Sequence, residues 1–373
     1  MSLNPFVADP SVPARLAAIS ADVQARIVTT AMGAARQHSL ALALNMGGVV
    51  PGAVVADLIA GHGLSGPGDV MRLLVDPARA LARPPISGFF VGTVGLERGT
   101  GNLVLGGNVE FPGTHLGLTI HGEGFVATRA FSRGVALDAI AIGEAHPCAH
   151  CRQFLSEFAD GATLRLIDPL GHDLSLSDLY PWPFDPAYLG QTGAVAGQIG
   201  WPGLSFDWPP ATVGPDAAAL LAAGRRAHAP YSGCPAAVML CMADGGLVTG
   251  TSVESVAFNP TMQPMMAAAI DAIAHGYGWP DIRAVMLGTV RGGAVDYVAT
   301  TAELLARLAP GVPLQVLGWR PSTGFTCRTP PGLRSRAAWQ GVCWPCWRWG
   351  PADSAGRICR QPPTRTSRTV RRR

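Results

Sequence analysis

The sequence contains no lysine; all 28 of its basic side chains are Arg. Charge of either sign is scarce, at 14% of 373 residues, and aromatics make up only 7%. With 48% hydrophobic residues the chain does not have the composition of a disordered protein, and it is long enough for a large core and more than one domain. Positive charge is missing from the body in particular. Twelve Arg fall in residues 320–373, opposed by Asp353 alone, whereas the other 16 Arg face 24 acids. An acidic body argues against nucleic acid as its natural partner. A long unbroken apolar run is also missing. The most apolar stretch, Leu40 to Ala60, is interrupted by Asn45, Gly47, Gly48, Pro51 and Gly52, and reads as buried helix and turn rather than a membrane span. Met1 to Ala14 has no basic segment followed by an apolar one, so no export signal is read. Cysteine is sparse, with four of the eight in the body (Cys148, Cys151, Cys234, Cys241). Together these absences point to a cytoplasmic protein whose thiols serve metal or thiol chemistry rather than a disulfide framework.

Periodicity organises what is present. Apolar residues at three- and four-residue steps predict helices over Val12–Met32, Ser39–Leu44 and Val70–Leu81. From Pro84 the texture changes. Ile86–Val94 and Leu103–Gly106 read as strands of a hairpin turning at Gly99–Gly101. A helix over His121–Ser132, a strand over Ala136–Ile142, a helix over Cys148–Phe158 and a strand over Thr163–Ile167 follow. Residues 169–213 are rich in Pro, Gly and Trp and read as a long connection. The pattern then restarts, with helices at Asp216–Ala227, Met262–His275 and Thr301–Leu308 and strands at Ala236–Met242, Leu247–Thr251, Ile282–Gly288 and Pro313–Leu317. The restart reads as an internal repeat. Pro85-Ile86-Ser87-Gly88 is matched by Pro230-Tyr231-Ser232-Gly233, and Asn108-Val109-Glu110 by Ser252-Val253-Glu254. Carrying the second offset forward places Met265 opposite His121 and Ala267 opposite Glu123. Beyond about Arg320 periodicity stops. Residues 326–373 are expected to be poorly ordered, and Cys343 and Cys346 match no compact metal site.

The chemistry concentrates between His121 and Cys151. His121-Gly122-Glu123 opens the stretch and Pro147-Cys148-Ala149-His150-Cys151 closes it. Cysteines three apart share a helix face and can hold one metal. One imidazole and two thiolates suit a zinc ion with an open fourth position, and a spare carboxylate beside it can move protons. A redox pair, or a structural site completed by His146 or His150, is the competing reading. Arg152 is read either as a donor to the thiolates or as an Arg packed between lobes.

The motif His121-Gly122-Glu123…Pro147-Cys148-Ala149-His150-Cys151 resembles the zinc-dependent cytidine deaminases, whose signature is H-x-E…P-C-x-x-C. Pro85 to Gly92 resembles the family's Ser-x-Phe-x-Val-Gly strand, and Gly107 to Phe111 its ribose motif. A helical segment followed by a catalytic and a degenerate lobe resembles the larger, homodimeric bacterial type, over roughly residues 1 to 319. The resemblance implies an α/β, three-layer cytidine-deaminase-like fold, duplicated. It divides the chain into a small N-terminal helical segment (1–80), a catalytic lobe (81–190), a linker (191–213), a degenerate lobe (214–319) and the basic tail (320–373). It implies one Zn2+ per chain held by His121, Cys148 and Cys151, with Glu123 as proton shuttle. Asn108 and Glu110 would meet the ribose 3′-hydroxyl, Phe89 the base, the Gly122 backbone the base edge, and Phe184 would close over the base. The implied reaction is hydrolysis of cytidine and 2′-deoxycytidine, in a homodimer whose degenerate lobe helps close the partner's site through Tyr231–Pro235 and Phe258–Pro264. Gly122 stands where the family has Ala, and together with Gly124 it is expected to loosen the site. An editing enzyme anchored to nucleic acid by the Arg-rich tail and a catalytically impaired scaffold are the alternatives.

Overall fold

A computed structural model describes residues 6–39, 45–143, 146–207 and 216–321. Most of the predicted Ser39–Leu44 helix and almost the whole basic tail lie outside the described residues. The chain enters through α1 (Ser11–Ala17) and α2 (Ala21–Ser39), then a short strand β1 (Val49–Val50), α3 (Gly52–His62) and α4 (Pro67–Ala78). The His-x-Glu and Pro-Cys-x-x-Cys pairs lie in the next group: β2 (Gly92–Glu97), β3 (Leu103–Gly107), α5 (Gly122–Ser132), β4 (Leu137–Ile142), α6 (Ala149–Leu155) and β5 (Arg165–Ile167). The described part of the expected long connection holds β6 (Asp173–Ser175), α7 (Leu176–Leu179), a 3-10 turn at Pro186–Leu189 and β7 (Ser205–Phe206). They are short. A capping box between Ser175 and Asp178 sets α7, and β6 and β7 form only by pairing with strands already present. The repeat then supplies α8 (Asp216–Arg225), β8 (Ala237–Met242), β9 (Leu247–Thr251), α9 (Pro264–Ala274), β10 (Ile282–Val290), α10 (Tyr297–Leu308) and β11 (Leu314–Arg320).

Two mixed sheets result, in the orders β1-β3-β2-β4-β5-β6 and β7-β11-β10-β8-β9. Four consecutive strands of each correspond, β3-β2-β4-β5 with β9-β8-β10-β11. The β2/β3 hairpin matches β8/β9, β4 runs antiparallel to β2 as β10 does to β8, and a parallel pair closes each set (β4/β5 and β10/β11). Alternation along the strands gives each sheet two apolar faces. Val94, Leu105 and Ala141 pack outward against Ile27, Val55 and Leu74 of α2, α3 and α4. Val104, Ile140 and Ile142 face inward, into the same cluster as Val238, Leu240 and Leu287 of the second sheet. Helix α8 covers the far face of that sheet around Trp319. The N-terminal helices are therefore one outer layer of the first lobe, and β1 extends its sheet.

Helices α5 and α9 share the central layer. They are buried all round, which is why α9 (PMMAAAIDAIA) shows no polar stripe. Each contributes one charge to the middle of the layer. The Arg129 guanidinium meets Asp271 and also donates to Asn45 Oδ1 (2.6 Å) and the Gly47 carbonyl (2.9 Å). Complete burial, with Arg133 nearby, lowers the Arg129 pKa to about 9. Removing one member leaves the other charged without its partner, so Arg129→Met and Asp271→Ala are each expected to cost about 3–5 kcal/mol in urea unfolding. The double replacement Arg129→Met/Asp271→Leu should cost well under the sum, because no orphaned charge remains.

The expected strand over Ile86–Val94 is corrected: regular pairing begins only at Gly92. Upstream, side chains take the backbone groups that a sheet would use. Glu110 accepts the Ile86 and Ser87 N–H groups, and Asn108 accepts the Val91 N–H while donating to the Phe89 carbonyl. Gly88 is left-handed (φ 64°), which bends the segment away from the sheet.

Candidate active site

The metal-ligating candidates sit at two converging helix starts. His121 is the N-cap of α5 in extended backbone, and Cys148 is the N-cap of α6, its sulfur accepting the Cys151 N–H at 3.5 Å. The His121 Nδ1 lies 3.5 Å from Cys148 Sγ and 3.3 Å from Cys151 Sγ, and the two sulfurs are 3.6 Å apart. Tetrahedral zinc with bonds of about 2.3 Å to sulfur and about 2.0–2.1 Å to nitrogen requires S···S of about 3.8 Å and N···S of about 3.6 Å. The three donors therefore fit a zinc ion with little movement, and they are the only such cluster found among the described residues. His150 is exposed and stands apart from the three donors, and His146 packs edge-on against His172 (5.8 Å between centroids), so neither joins the cluster. The Cys148 thiol is pulled down to about 3 by hydrogen bonds from Cys151 and His121, and the same Cys148 bond raises the His121 pKa. Cys151 is pushed up by its bond to Cys148 and by burial. The site thus favours a thiolate at Cys148.

Glu123, in the first turn of α5, is 4% exposed. Burial raises its pKa, and its carboxyl lies beside the Cys151 thiol. Gly122, between the two chemical groups, is buried and its α-carbon faces Thr93 of β2. A cavity of about 120 Å³ adjoins the cluster, lined by His121, Gly124, His150 and Cys151 from the first lobe and Met262 and Met266 from the second.

Asn108, Glu110 and Phe89 form a neighbouring group. Glu110 also accepts the Ser87 hydroxyl (2.6 Å), so both polar side chains hold the 86–91 loop that presents Phe89. The Phe89 ring is 55% exposed. Burial works against the Glu110 carboxylate, but the Ser87 hydrogen bonds outweigh it and lower its pKa. The His121 charge acts in the same direction on Glu110. Phe184 is half exposed, with its ring beside Tyr188. Its backbone is gripped by Gln153 of α6, which donates to the Phe184 carbonyl (2.8 Å) and accepts its N–H (3.2 Å). Gln153 therefore ties the aromatic loop to the helix that bears Cys151. Sequence reasoning passed over it because its partner lies 31 residues on. Arg152 reaches neither a sulfur nor the second lobe: it donates to the carbonyls of Pro147 and Leu179, bracing the α6 start.

The second lobe repeats the glutamate half of the loop frame. Glu254 accepts the N–H groups of Tyr231 and Ser232 and the Ser232 hydroxyl, as Glu110 does with Ile86 and Ser87. It does not repeat the ligands, and the offset reading is corrected here. Val109 bridges Ile120, whereas Val253 bridges Met262, so the intervening loop is two residues shorter in the second copy. Gln263 is the N-cap of α9, in the place of His121, and Met265 stands where Glu123 does. Between the lobes, Glu157 is fully buried and accepts from His228 Nε2, Tyr231 Oη and the Val256 N–H, each at 2.7 Å. The one signal for it is an acid within the apolar run Phe154–Phe158. Tyr231 is thus engaged inside its own chain, while the Phe258 ring is 63% exposed.

Two family models described as "Cytidine and deoxycytidylate deaminase zinc-binding region" match the chain, over residues 68–164 and 212–302. The chain is 31% identical over 265 residues to a cytidine deaminase of Vibrio atlanticus, covering 70% of this chain and 86% of that one. It is 37% identical over 237 residues to a cytidine deaminase of Cronobacter sakazakii (63% and 78%) and 34% identical over 276 residues to cytidine deaminase 6 of Arabidopsis thaliana (69% and 93%). Among solved structures, a cytidine deaminase from Mycobacterium tuberculosis is 34% identical, with 31% of this chain and 95% of that chain covered and a TM-score of 0.28.

Proposed function

Because this chain belongs to the cytidine and deoxycytidylate deaminase family, we propose that it hydrolyses cytidine and 2′-deoxycytidine to uridine and 2′-deoxyuridine, releasing ammonia. The observation that carries this reading is the meeting of His121, Cys148 and Cys151 with the buried carboxyl of Glu123. His121 Nδ1 and the two sulfurs would hold the zinc ion. When bound, zinc supplies a Lewis acid that brings the pKa of water towards neutrality. Glu123 takes a proton from the attacking water and delivers one to N3 of the pyrimidine as oxygen bonds to C4. It then takes the remaining proton from the C4 hydroxyl and delivers it to the exocyclic nitrogen, which leaves as ammonia as the C4–N bond breaks and the C4 carbonyl forms. Its burial supports this role, because a carboxyl whose pKa is raised more readily holds the proton that it takes up before passing it on.

The substrate contacts follow the same reading. Asn108 and Glu110 hold the ribose 3′-hydroxyl, Phe89 and Phe184 cover the base, and the Gly122 backbone meets the base edge. Asn108 keeps one N–H beyond its loop bonds for that purpose. Residues 81–190 would form the catalytic lobe and 214–319 a supporting one. Ile86, Phe89, Phe90 and Phe258 expose large apolar surfaces, which supports a homodimer in which the second lobe covers the partner's site. Among the described residues no helix is long and apolar enough to cross a membrane. A cytoplasmic location suits ligand thiols that must stay reduced. The test is to incubate the purified protein with cytidine and follow loss of absorbance at the cytosine band; no loss with fully zinc-loaded protein would overturn the reading. A particle mass of one chain in active protein would overturn the dimer.

A further inference from the structure

Three contacts govern how α5 lies on the first sheet. At two of them the sheet supplies the glycine. A Cβ on Gly106 would meet Phe125 at 2.7 Å and Val126 at 2.8 Å, and one on Gly95 would meet Leu137 at 3.1 Å and Val126 at 3.3 Å. At the third, under the first turn of the helix, the arrangement is inverted. The helix supplies Gly122 and the strand supplies a side chain, Thr93. A Cβ on Gly122 would lie 1.9 Å from Thr93 Oγ1 and 2.9 Å from its β-carbon. Thr93 cannot move aside along the sheet, being paired in register with Gly106 and Ile142 and fully buried. It is β-branched, so its χ1 is stiff. Its hydroxyl has no hydrogen-bond partner among the described residues, so what it contributes here is shape. Gly124 behaves differently, since a Cβ there would make ordinary contacts with Met262 (3.6 Å) and Ile120 (3.8 Å).

We propose that Thr93 is a positioning residue for the active site: it fills the volume that a side chain at residue 122 would take, and so locates the turn carrying His121 and Glu123. What that turn does rests on the deaminase reading; the packing does not. Gly122 is then one half of a matched pair, and the expectation that it loosens the site is replaced.

The test compares full-length, zinc-loaded wild type with Gly122→Ala, Thr93→Ala and the double variant, reading zinc per chain, melting temperature, and kcat/KM for cytidine. Gly122→Ala should lower kcat/KM by about 100-fold, as expected for a displaced catalytic turn, and lower zinc content and melting temperature with it. Thr93→Ala should cost about 3–10-fold, and the double variant should recover at least about tenfold over Gly122→Ala, with zinc content and melting temperature rising in parallel. Should Gly122→Ala fail to fold, a folded, zinc-loaded double variant supports the proposal. A double variant no better than Gly122→Ala in all three readouts, or a Gly122→Ala protein indistinguishable from wild type, overturns it. Thr93→Val, which keeps the shape and drops the unpaired hydroxyl, should melt at or above the wild-type temperature; a clear fall overturns the assignment to shape. If wild type turns over no cytidine while zinc content and melting temperature show the coupling, the deaminase reading fails and the packing assignment stands.

Discussion

Glu123→Gln is expected to lower kcat for cytidine by about 10²–10⁴-fold while leaving zinc at one per chain. Gln has nearly the same shape as Glu and keeps the first turn of α5, but it cannot carry a proton between water, ring nitrogen and leaving amine. Glu123 is not among the three clustered donors, so metal retention should be unaffected. The carboxyl is buried beside a thiol, with its ionised form disfavoured. Neutralising it should therefore hold the melting temperature or raise it, since an uncompensated buried charge costs stability. That pairing of lost rate with unchanged or higher stability separates a proton shuttle from a structural carboxyl, whose loss would lower both. Cytidine turnover at the cytosine band, metal analysis and thermal unfolding of one preparation suffice. Equal rates for the two proteins would remove Glu123 from the mechanism.

Removing a metal ligand should be still more severe. Cys151→Ser is expected to leave under about a tenth of a zinc per chain and turnover at the background of buffer, because two donors hold zinc far less tightly than three. The apoprotein should remain folded. Both sheets and the shared α5–α9 layer are built from apolar contacts that do not include the metal, so far-UV circular dichroism should change little. Structural zinc would behave otherwise, with fold and metal lost together. Wild-type protein stripped by a chelator should show the same loss and regain activity on adding zinc, whereas Cys151→Ser should not. Retention of zinc and activity by Cys151→Ser would show that the ligand set is wrong.

Some of this was legible along the chain because its information is local. The cysteines of Pro-Cys-x-x-Cys are three apart, so their spacing alone puts them on one helix face, and the His-x-Glu pair, two apart, is held within a single turn though on different sides of it. The order of strands and helices follows from periodicities of two and 3.6, read over windows shorter than an element. Where a local reading failed, a distant group had intervened. The strand expected from Ile86 begins only at Gly92 because Asn108 and Glu110, about twenty residues on, take its backbone donors and acceptors. The offset to the silent second site slipped because a loop lost two residues, which no windowed comparison registers unless the bridges Val109–Ile120 and Val253–Met262 are seen.

By itself, then, the sequence determined the chemistry available to this protein: which side chains can hold a soft divalent ion, which carboxyl accompanies them, and that the chain is a doubled α/β unit. Only the tertiary structure decided what holds that chemistry in place. Arg129 meets Asp271 across 142 residues, Glu157 joins His228 across 71, and Thr93 meets Gly122 from a neighbouring strand. The physical reason is range. Ligand spacing is a property of one turn of backbone. Whether a given glycine is slack or filled depends on which side chain the folded sheet brings beneath it, and here the turn between His121 and Glu123 rests on Thr93.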